Sequence, residues 1–264
     1  MRAMRQGGRA GACGRRVEAR TRRGTRRRAA LAAAPAAPRA ALVVFDLDGV
    51  LYPAGNGFLQ SVRDNSRDFI LTRLGAGSAE EAERIRKEAF SAANQTAAGL
   101  VRMGYEFDIK EFGAFCRRDE DRYLRPDARV REALVELQAT GHRLVVHTNT
   151  NEAAAARALA ALQLDDGLFS AVYGSDHMRE VCKPEHEAWL RVLSAEGAEA
   201  AGTYFLDDSL RNALAAKQVG LTSVFVADVN TSEQRLSKAR EGTDGVVMSV
   251  SREQLRGALP QLYL

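Results

Sequence analysis

The stretch LVVFDLDGVLYP, residues 42–53, carries the strongest fold signal in the chain. Four apolar residues run directly into Asp46 and Asp48, and the chain then reaches Gly49. A short continuous apolar run is typical of a strand that is buried on both faces of a parallel sheet. Ligands bind beyond the carboxyl ends of such strands, so the two aspartates mark a candidate site. The competing interpretation is a plain turn, because Asp-Gly is also common turn chemistry.

The chain after residue 126 alternates strand patterns with helical patterns. The predicted strands cover 143–147, 171–173, 203–206 and 223–226. The predicted helices between and beside them cover 128–140, 153–161, 185–196 and 209–219. This alternation predicts a parallel sheet with helices on both faces, joined by right-handed crossovers. We therefore expect an α/β fold built on a three-layer, Rossmann-like parallel sheet.

Residues 57–125 contain helical patterns and no convincing strand. Three helices are predicted there, over 58–74, from Ser78 towards Met103, and after Asp108. Ser78 with Glu81 forms a capping box at the start of the second helix. A stretch of about 70 residues is too long for a simple connection. We predict a helical cap, residues 57–125, inserted after the first strand of a core formed by 41–56 and 126–264.

Charge is unevenly distributed along the chain. The whole sequence has a formal net charge of +4, but residues 1–40 hold twelve arginines and one acid, Glu18. The remaining residues hold 26 basic and 33 acidic side chains, so the predicted folded part is acidic. This distribution gives no support for a nucleic-acid partner. No stretch approaches the roughly eighteen apolar residues of a membrane span, so no membrane partner is predicted.

Residues 1–40 lack apolar periodicity and are rich in arginine, alanine and glycine. Such a segment cannot bury enough apolar surface to offset its ordering entropy, so we predict a disordered leader. Its arginine-rich, acid-poor composition is typical of an organellar transit peptide, although no serine precedes Ser61. A chloroplast is favoured over a mitochondrion. The alternatives are a basic tail or a mis-called start codon, and with them a cytoplasmic location.

Four polar features fall at the carboxyl ends of predicted strands or at the starts of helices. In chain order they are Asp46 with Asp48, Thr148 with Asn149, Lys183 before Pro184, and Asp207 with Asp208. Each has a plain interpretation, since a lysine before a helix is usually solvated and Asp-Asp-Ser is a good helix N-cap. On one edge of a parallel sheet, however, the four together predict a shared site.

The order and residue types of these features resemble the haloacid dehalogenase superfamily of phosphotransferases. Its first motif matches Asp46-Leu47-Asp48-Gly49, and its later motifs match Thr148, Lys183 and Asp207-Asp208. The fuller strings FDLDGVLYP, HTNT, VCKPE and FLDDSLRN are similar to the eukaryotic pyrimidine 5′-nucleotidase group. That group more often has Asp or Asn where this chain has Gly49. Dehalogenating members characteristically lack the second aspartate, so its presence favours phosphoryl transfer.

The resemblance and the chemistry of phosphate esters together suggest roles for these residues. Phosphate monoesters hydrolyse so slowly that rate factors up to about 10²¹ are needed. Asp46 is expected to attack phosphorus and form an aspartyl-phosphate, while Asp48 protonates the leaving alkoxide and then activates water. We expect the nearby charge of Asp46 to raise the pKa of Asp48.

A divalent cation is expected beside the nucleophile, and Mg²⁺ fits the carboxylate ligands. The expected ligands are Asp46, the backbone carbonyl of Asp48, Asp207, and Asp208 directly or through water. Thr148, the backbone amide of Asn149 and Lys183 are expected to hold the phosphate.

The resemblance also gives the cap a role, because inserts at this position cover the phosphate site and contact the leaving group. The candidate specificity residues are Asn94, Gln95 and Thr96, whose amides and hydroxyl suit a base or a sugar. The alternative for this patch is a helix kink or a solvated turn. Tyr52 is a further candidate for lining the pocket.

The sequence therefore predicts a Mg²⁺-dependent phosphatase acting on a small phosphorylated metabolite, with a pyrimidine nucleoside 5′-monophosphate as the candidate substrate. The alternatives are a phosphosugar mutase or a sugar-phosphate phosphatase of the same superfamily. A non-catalytic scaffold is disfavoured because both Asp46 and Asp48 are present. The oligomeric state is left open.

Overall fold

The computed structural model describes residues 40–179 and 181–264. Residues 1–39, which hold nearly all of the predicted leader, lie outside the described residues. The predicted leader and its organellar destination therefore stay predictions.

The described residues form one six-stranded parallel sheet. Its strands are β1 (Leu42–Phe45), β2 (Arg143–His147), β3 (Ala171–Tyr173), β4 (Thr203–Asp207), β5 (Thr222–Val226) and β6 (Gly245–Val247). Their order across the sheet is β3-β2-β1-β4-β5-β6, with every neighbouring pair parallel. In β1, Val44 is in register with Val145 of β2 and Phe205 of β4. The strand that leads into Asp46 is therefore central, and its neighbours β2 and β4 lead into the other predicted motifs.

Helices connect the strands. They are α1 (Phe58–Arg73), α2 (Ala79–Ala93), α3 (Thr96–Arg102), α4 (Ile109–Cys116), α5 (Glu120–Tyr123), α6 (Ala128–Ala139), α7 (Glu152–Ala161), α8 (Ser175–Met178), α9 (His186–Glu196), α10 (Leu210–Val219), α11 (Glu233–Gly242) and α12 (Arg252–Ala258). Short 3₁₀ helices cover Ala54–Asn56 and Pro260–Tyr263. Over the described residues, none of these helices combines the length and apolar character needed to cross a bilayer.

The sheet has an apolar core on each face. Val43 and Phe45 of β1 belong to one buried cluster, with Leu134 of α6 among its members. Val44 belongs to a second cluster, which contains Trp189 of α9. This alternation follows from the two-residue period of a strand. Each fully buried side chain of this size contributes about 1.5–3 kcal/mol. The predicted three-layer α/β fold is confirmed.

The helical insert, residues 57–125, contains α1 to α5 and has an apolar cluster of its own. Phe69 of α1 lies at its centre, with its ring centroid 5.1 Å from that of Phe112 in α4. Such edge-to-face pairs stabilise a core beyond the area they bury. These five helices all lie within residues 57–125, while the insert's status as a separate domain stays a prediction.

One predicted helix in the insert is wrong in its extent. The pattern from Ser78 predicts a single helix towards Met103, but α2 ends at Ala93 and α3 begins at Thr96. Asn94 between them has a left-handed backbone with φ of 54°. Asparagine tolerates this conformation better than most residues, so the chain turns there.

Candidate active site

The polar motif residues meet at the carboxyl edge of the sheet. Asp46 follows β1, Thr148 follows β2, and Asp207 ends β4. The backbone amide of Asp46 donates to the carbonyl of Leu206 at 2.9 Å, which ties the ends of β1 and β4 together. A cavity of about 620 Å³, here called the site cavity, lies between this edge and the insert. The predicted motif residues that line it are Asp46, Asp48, Thr148, Asn149, Lys183 and Asp208.

Lys183 joins the two central carboxylates of the site. Its buried ammonium group lies 2.9 Å from Asp46 Oδ1 and 2.8 Å from Asp207 Oδ2. It also donates to the carbonyl of His147 at 2.7 Å, so all three ammonium protons have acceptors. Asp207 is fully buried and contacts the site through this lysine. The ammonium charge therefore offsets the repulsion between two carboxylates that lie side by side.

Three carboxylates form a group suited to a cation, here called the acid cluster: Asp46, Asp207 and Asp208. One oxygen from each lies within 4.8 Å of the others. Burial and the charges of Asp207 and Asp46 raise the pKa of Asp208 to about 8. Crowded carboxylates with one lysine carry excess negative charge, and Mg²⁺ takes such oxygen ligands. The residues present therefore fit a divalent cation.

The nucleophile candidate Asp46 is itself strongly affected by its surroundings. Burial raises the pKa of Asp46 to about 7, against the opposing effect of the Lys183 charge. The neighbouring charges of Asp207 and Asp48 act in the same direction as burial. A cation at the acid cluster would favour the ionised form that attacks phosphorus.

Asp48 departs from its predicted state because an arginine from the insert contacts it. Burial alone would raise the pKa of Asp48, but the charge and hydrogen bonds of Arg117 outweigh this and lower it. Two guanidinium nitrogens of Arg117 each donate to a carboxylate oxygen of Asp48 at 2.9 Å. The predicted rise from the charge of Asp46 is therefore wrong, since a bidentate partner stabilises the carboxylate more strongly.

The predicted phosphate-binding loop is organised by its own polar contacts. The Asn149 side chain donates to the carbonyl of Lys183 at 3.0 Å and accepts from the Lys183 amide at 2.9 Å. The hydroxyl oxygen of Thr148 accepts from the Thr150 amide at 3.1 Å. These bonds fix the ends of β2 and the Lys183 loop against each other, with Thr148 and Asn149 lining the site cavity.

The predicted specificity patch lies at the junction between the insert and the core. Asn94, Gln95 and Thr96 all line the site cavity. However, the amide of Asn94 donates to the carbonyl of Lys183 at 2.9 Å, and that of Gln95 donates to the carbonyl of Asn149 at 2.6 Å. Both amide nitrogens hold the insert against the core. Of the two alternatives for this patch, the helix kink therefore describes Asn94 and the solvated turn does not.

Tyr52 does not take its predicted position. It is 2% exposed, packs against Phe58 with ring centroids 6.0 Å apart, and donates its hydroxyl hydrogen bond to Asp48. The side chain lies under Asp48 because its ring joins the apolar core below the site. Tyr52 orients Asp48 and does not form part of the described cavity wall.

Sequence reasoning missed two residues that organise the site. Arg117 has no local signal, since it lies 69 positions from Asp48 and only the fold brings the two together. Its guanidinium also lies 3.0 Å from the Thr150 hydroxyl and packs over the Phe58 ring. Asn212 donates to both carboxylate oxygens of Asp207 at 3.1 Å. Its position in FLDDSLRN, one helical turn after the aspartates, was the available signal.

Comparison with known proteins decides the family. The haloacid dehalogenase-like hydrolase family matches residues 40–220, more than half of the chain. The chain belongs to this family. The match spans β1 to α10, so it includes the edge of the sheet where the acid cluster lies.

Two relatives of this haloacid dehalogenase-like hydrolase are 27% and 33% identical to it over part of its length. The phosphoglycolate phosphatase of Caulobacter vibrioides is 27% identical over 209 residues, which are 73% of this chain and 81% of that protein. The sesquiterpene phosphatase astK of Aspergillus oryzae is 33% identical over 105 residues, which are 40% of this chain and 53% of that protein. This chain therefore matches only about half the length of the second relative.

Solved structures show the same fold. The haloacid dehalogenase phosphatase of Thermococcus onnurineus superposes with a TM-score of 0.60 at 20% identity, covering 83% of this chain and 97% of that chain. At this level of identity, the similarity shows the Rossmann-like fold and no finer property.

Proposed function

We propose that this hydrolase is a Mg²⁺-dependent phosphomonoesterase that works through an aspartyl-phosphate on Asp46. The observation that carries the proposal is the contact of the Lys183 ammonium group with both Asp46 and Asp207 on the floor of the site cavity. Together with Asp208, this arrangement provides a nucleophile beside a fixed positive charge and a cation-binding group. The phosphatases among the named relatives support the same reaction class.

The arrangement answers the main difficulty of attacking a phosphate ester with a carboxylate. Both groups are anionic, so attack in line is opposed electrostatically. Lys183 offsets part of this charge, and Mg²⁺ held by the acid cluster would neutralise more of it. Preorganised charges of this kind stabilise the transition state without reorganisation at the moment of reaction.

The remaining motif residues have supporting roles in the proposal. Thr148 and the backbone amide of Asn149 hold phosphate oxygens at the end of β2. The backbone carbonyl of Asp48 would complete the cation ligands. Asn212 keeps Asp207 oriented through hydrogen bonds to both of its carboxylate oxygens.

In its ionised state, Asp48 suits the second half of the reaction, which is the hydrolysis of the aspartyl-phosphate. Its ionised carboxylate can take a proton from the water that attacks the aspartyl-phosphate. In the first half it must give a proton to the leaving alkoxide, and the ion pair with Arg117 opposes that protonation. A substrate phosphate that draws the Arg117 guanidinium away would relieve the opposition. Arg117 is thus a positioning residue for Asp48.

The sequence predicts more than one kind of substrate, and the candidates differ in the leaving group. The FDLDGVLYP, HTNT, VCKPE and FLDDSLRN strings favour a pyrimidine nucleoside 5′-monophosphate, and the superfamily also contains phosphosugar mutases. Release of phosphate from UMP and CMP well above that from sugar phosphates would support the nucleotidase. Isomerisation stimulated by a sugar bisphosphate, without release of phosphate, would support the mutase.

The reaction class can be tested with p-nitrophenyl phosphate and the full chain. We expect Mg²⁺-dependent release of phosphate that is lost on chelation and abolished in Asp46→Asn. Asp64→Asn is a matched control, because Asp64 is a half-buried carboxylate of α1 that lies outside the described cavity wall and pairs with Arg67 at 3.3 Å. Turnover that survives in Asp46→Asn, or no turnover with any phosphomonoester, would contradict the proposal.

A further inference from the structure

The insert gives the site cavity an apolar wall. The apolar side chains that line the cavity come from α1, α2, α3 and α4, and they are Leu59, Val62, Phe90, Ala97, Ile109 and Phe112. The polar groups suited to a phosphate come from the carboxyl edge of the sheet. The core thus supplies a polar floor, while the insert supplies the apolar wall together with polar side chains such as those of Arg63, Arg86 and Arg117.

Two residues of the apolar wall are partly open to solvent. Phe90 is 48% exposed and Ile109 is 49% exposed, although both line the cavity. Apolar area that leaves water contributes about 25 cal/mol per Å². A ligand with a hydrocarbon portion would gain this free energy when it covers the two side chains. Exposed apolar groups inside a concave site are typical of ligand contact.

Four polar side chains of the insert that line the cavity, those of Arg86, Asn94, Gln95 and Arg117, already have partners. Arg86 makes two bonds of 2.8 Å to the carboxylate of Glu83. Arg117 is paired with Asp48, and the amides of Asn94 and Gln95 donate to core carbonyls. A polar leaving group could bind these side chains only by breaking their present hydrogen bonds, whereas an apolar leaving group would leave those bonds intact.

The guanidinium group of Arg63 favours a different substrate, one that carries a second anionic group. It lines the cavity and is exposed. Among the described residues, no carboxylate lies within 4.0 Å of its guanidinium group. A second anionic group on the substrate would suit Arg63, so a phosphorylated carboxylic acid belongs in the test as a competing outcome.

The size of the cavity favours a leaving group of several carbon atoms. Its volume of about 620 Å³ lies within the range of roughly 300–1,000 Å³ occupied by small-molecule sites. A two-carbon leaving group such as glycolate would leave the apolar wall uncovered when its phosphate lies beside Asp46.

We infer that the substrate is the phosphate monoester of an apolar alkyl or aryl alcohol, whose hydrocarbon lies against Phe90 and Ile109. This inference rests on the phosphomonoesterase activity proposed above. In the reaction an Asp46 oxygen forms a bond to phosphorus, and the bond from phosphorus to the alcohol oxygen breaks. The alcohol leaves with a proton from Asp48, and water then hydrolyses the aspartyl-phosphate to inorganic phosphate.

A series of n-alkyl phosphates from butyl to octyl tests the inference with the full chain and Mg²⁺. The leaving-group chemistry is nearly constant along the series, so a change in kcat/KM reports contact with the hydrocarbon. We expect kcat/KM to rise about two- to fourfold per added methylene, because one buried methylene is worth at most about a fourfold change. UMP, CMP and phosphoglycolate are the polar comparison substrates.

Variants of the apolar wall provide the second arm. Phe90→Ser and Ile109→Ser are expected to flatten the chain-length dependence and to lower kcat/KM for octyl phosphate about tenfold. Val101→Ser is the matched control, since Val101 is 48% exposed on α3 and lies outside the described cavity wall. It should keep the wild-type dependence on chain length.

The outcomes separate this inference from the proposed function. Turnover of p-nitrophenyl phosphate that needs Asp46, combined with a flat alkyl series, overturns the apolar leaving group alone. A higher kcat/KM for UMP, CMP or phosphoglycolate than for octyl phosphate also overturns it. No turnover of any ester, or turnover that persists in Asp46→Asn, overturns the proposed function and this inference with it.

Discussion

Burial and the charge of Lys183 act in opposite directions on Asp46. Burial raises its pKa to about 7, and Lys183 limits the rise. The carboxylate attacks only when ionised, so the protonated fraction below this pKa is inactive. At limiting Mg²⁺ we expect kcat/KM to increase as the pH rises through about 7.

Added Mg²⁺ should move this rise to lower pH, because a cation stabilises the ionised carboxylates. The measurement is a pair of pH–rate profiles at low and saturating Mg²⁺. A rise that stays at the same pH in both profiles, or activity that falls through this region, would count against Asp46 as the titrating nucleophile.

Two features favour glycine at position 49: its backbone conformation and its close approach to Asp208 of the site. Its φ is +77°, and a Cβ there would lie 2.3 Å from Asp208 Oδ2. Gly75 is a matched control, with φ of +76° and no atom within 4 Å of a Cβ. We expect Gly75→Ala to lose about 1–2 kcal/mol of unfolding free energy from backbone strain, and Gly49→Ala to lose more because Asp208 must also move.

Only Gly49→Ala should also weaken activation by Mg²⁺, because it displaces Asp208 from the acid cluster. Urea unfolding and Mg²⁺ titration of activity measure the two effects separately. The same Mg²⁺ dependence in both variants would show that Gly49 serves the turn alone.

At the scale of elements, the junction between the insert and the core passes through Arg117. This residue is the C-cap of α4, is 5% exposed, and contacts Asp48 and Glu120. Removing one partner of a buried ion pair leaves the other uncompensated, at a cost of about 3–5 kcal/mol. We expect Arg117→Ala to lose this order of stability and most of its kcat.

The variant Arg117→Lys tests whether Arg117 acts through its bidentate geometry or only through its positive charge. It keeps the positive charge but loses the bidentate geometry. Because Asp48 is then held less firmly in position, we expect kcat for alkyl phosphates to fall more than kcat for p-nitrophenyl phosphate, whose good leaving group needs little help from Asp48. Arg118→Lys is the control, since Arg118 stacks on Phe115 and bonds to Asn65. An equal loss on both substrates would show that Arg117 is structural only.

Some of the strands and helices could be predicted from the sequence and others could not. The strands β1, β2 and β4 were predictable because buried parallel strands read as apolar runs ending in polar residues. The strand β6 was missed, since it has only three residues, Gly245–Val247, and begins with glycine. The break at Asn94 was predicted only as the alternative of a helix kink, because the helical pattern continues through it and the hydrogen bonds from Asn94 and Gln95 to the core are long-range.

In the candidate site, too, local sequence patterns were predictable and long-range contacts were not. Asp46, Thr148, Lys183 and Asp207 could be predicted to converge, since each lies at a strand or loop end on one sheet edge. The state of Asp48 could not, because it depends on Arg117 from another part of the chain. Local pattern therefore predicted the polar floor of the cavity, while the contacts between insert and core required the folded structure.

At the scale of the whole molecule, cation binding should stabilise the fold. A ligand that binds only the folded state adds about 2.7 kcal/mol at 100 times its Kd. We expect Mg²⁺ to raise the Tm of the full chain, and Asp208→Asn to reduce that rise. Asp64→Asn should respond like the wild type. A Tm that is unchanged by Mg²⁺ in the wild type would contradict a cation site at the acid cluster.

Trapping of the covalent intermediate tests the central claim most directly. Wild type and Asp48→Asn are mixed with p-nitrophenyl phosphate and Mg²⁺, quenched in acid, and mapped by peptide mass spectrometry. We predict a phosphoryl group on Asp46 that accumulates in Asp48→Asn, since that variant lacks the base for the second step. Phosphate release by the wild type with no phosphorylated enzyme in either protein, or a phosphoryl group on another residue, would contradict the account.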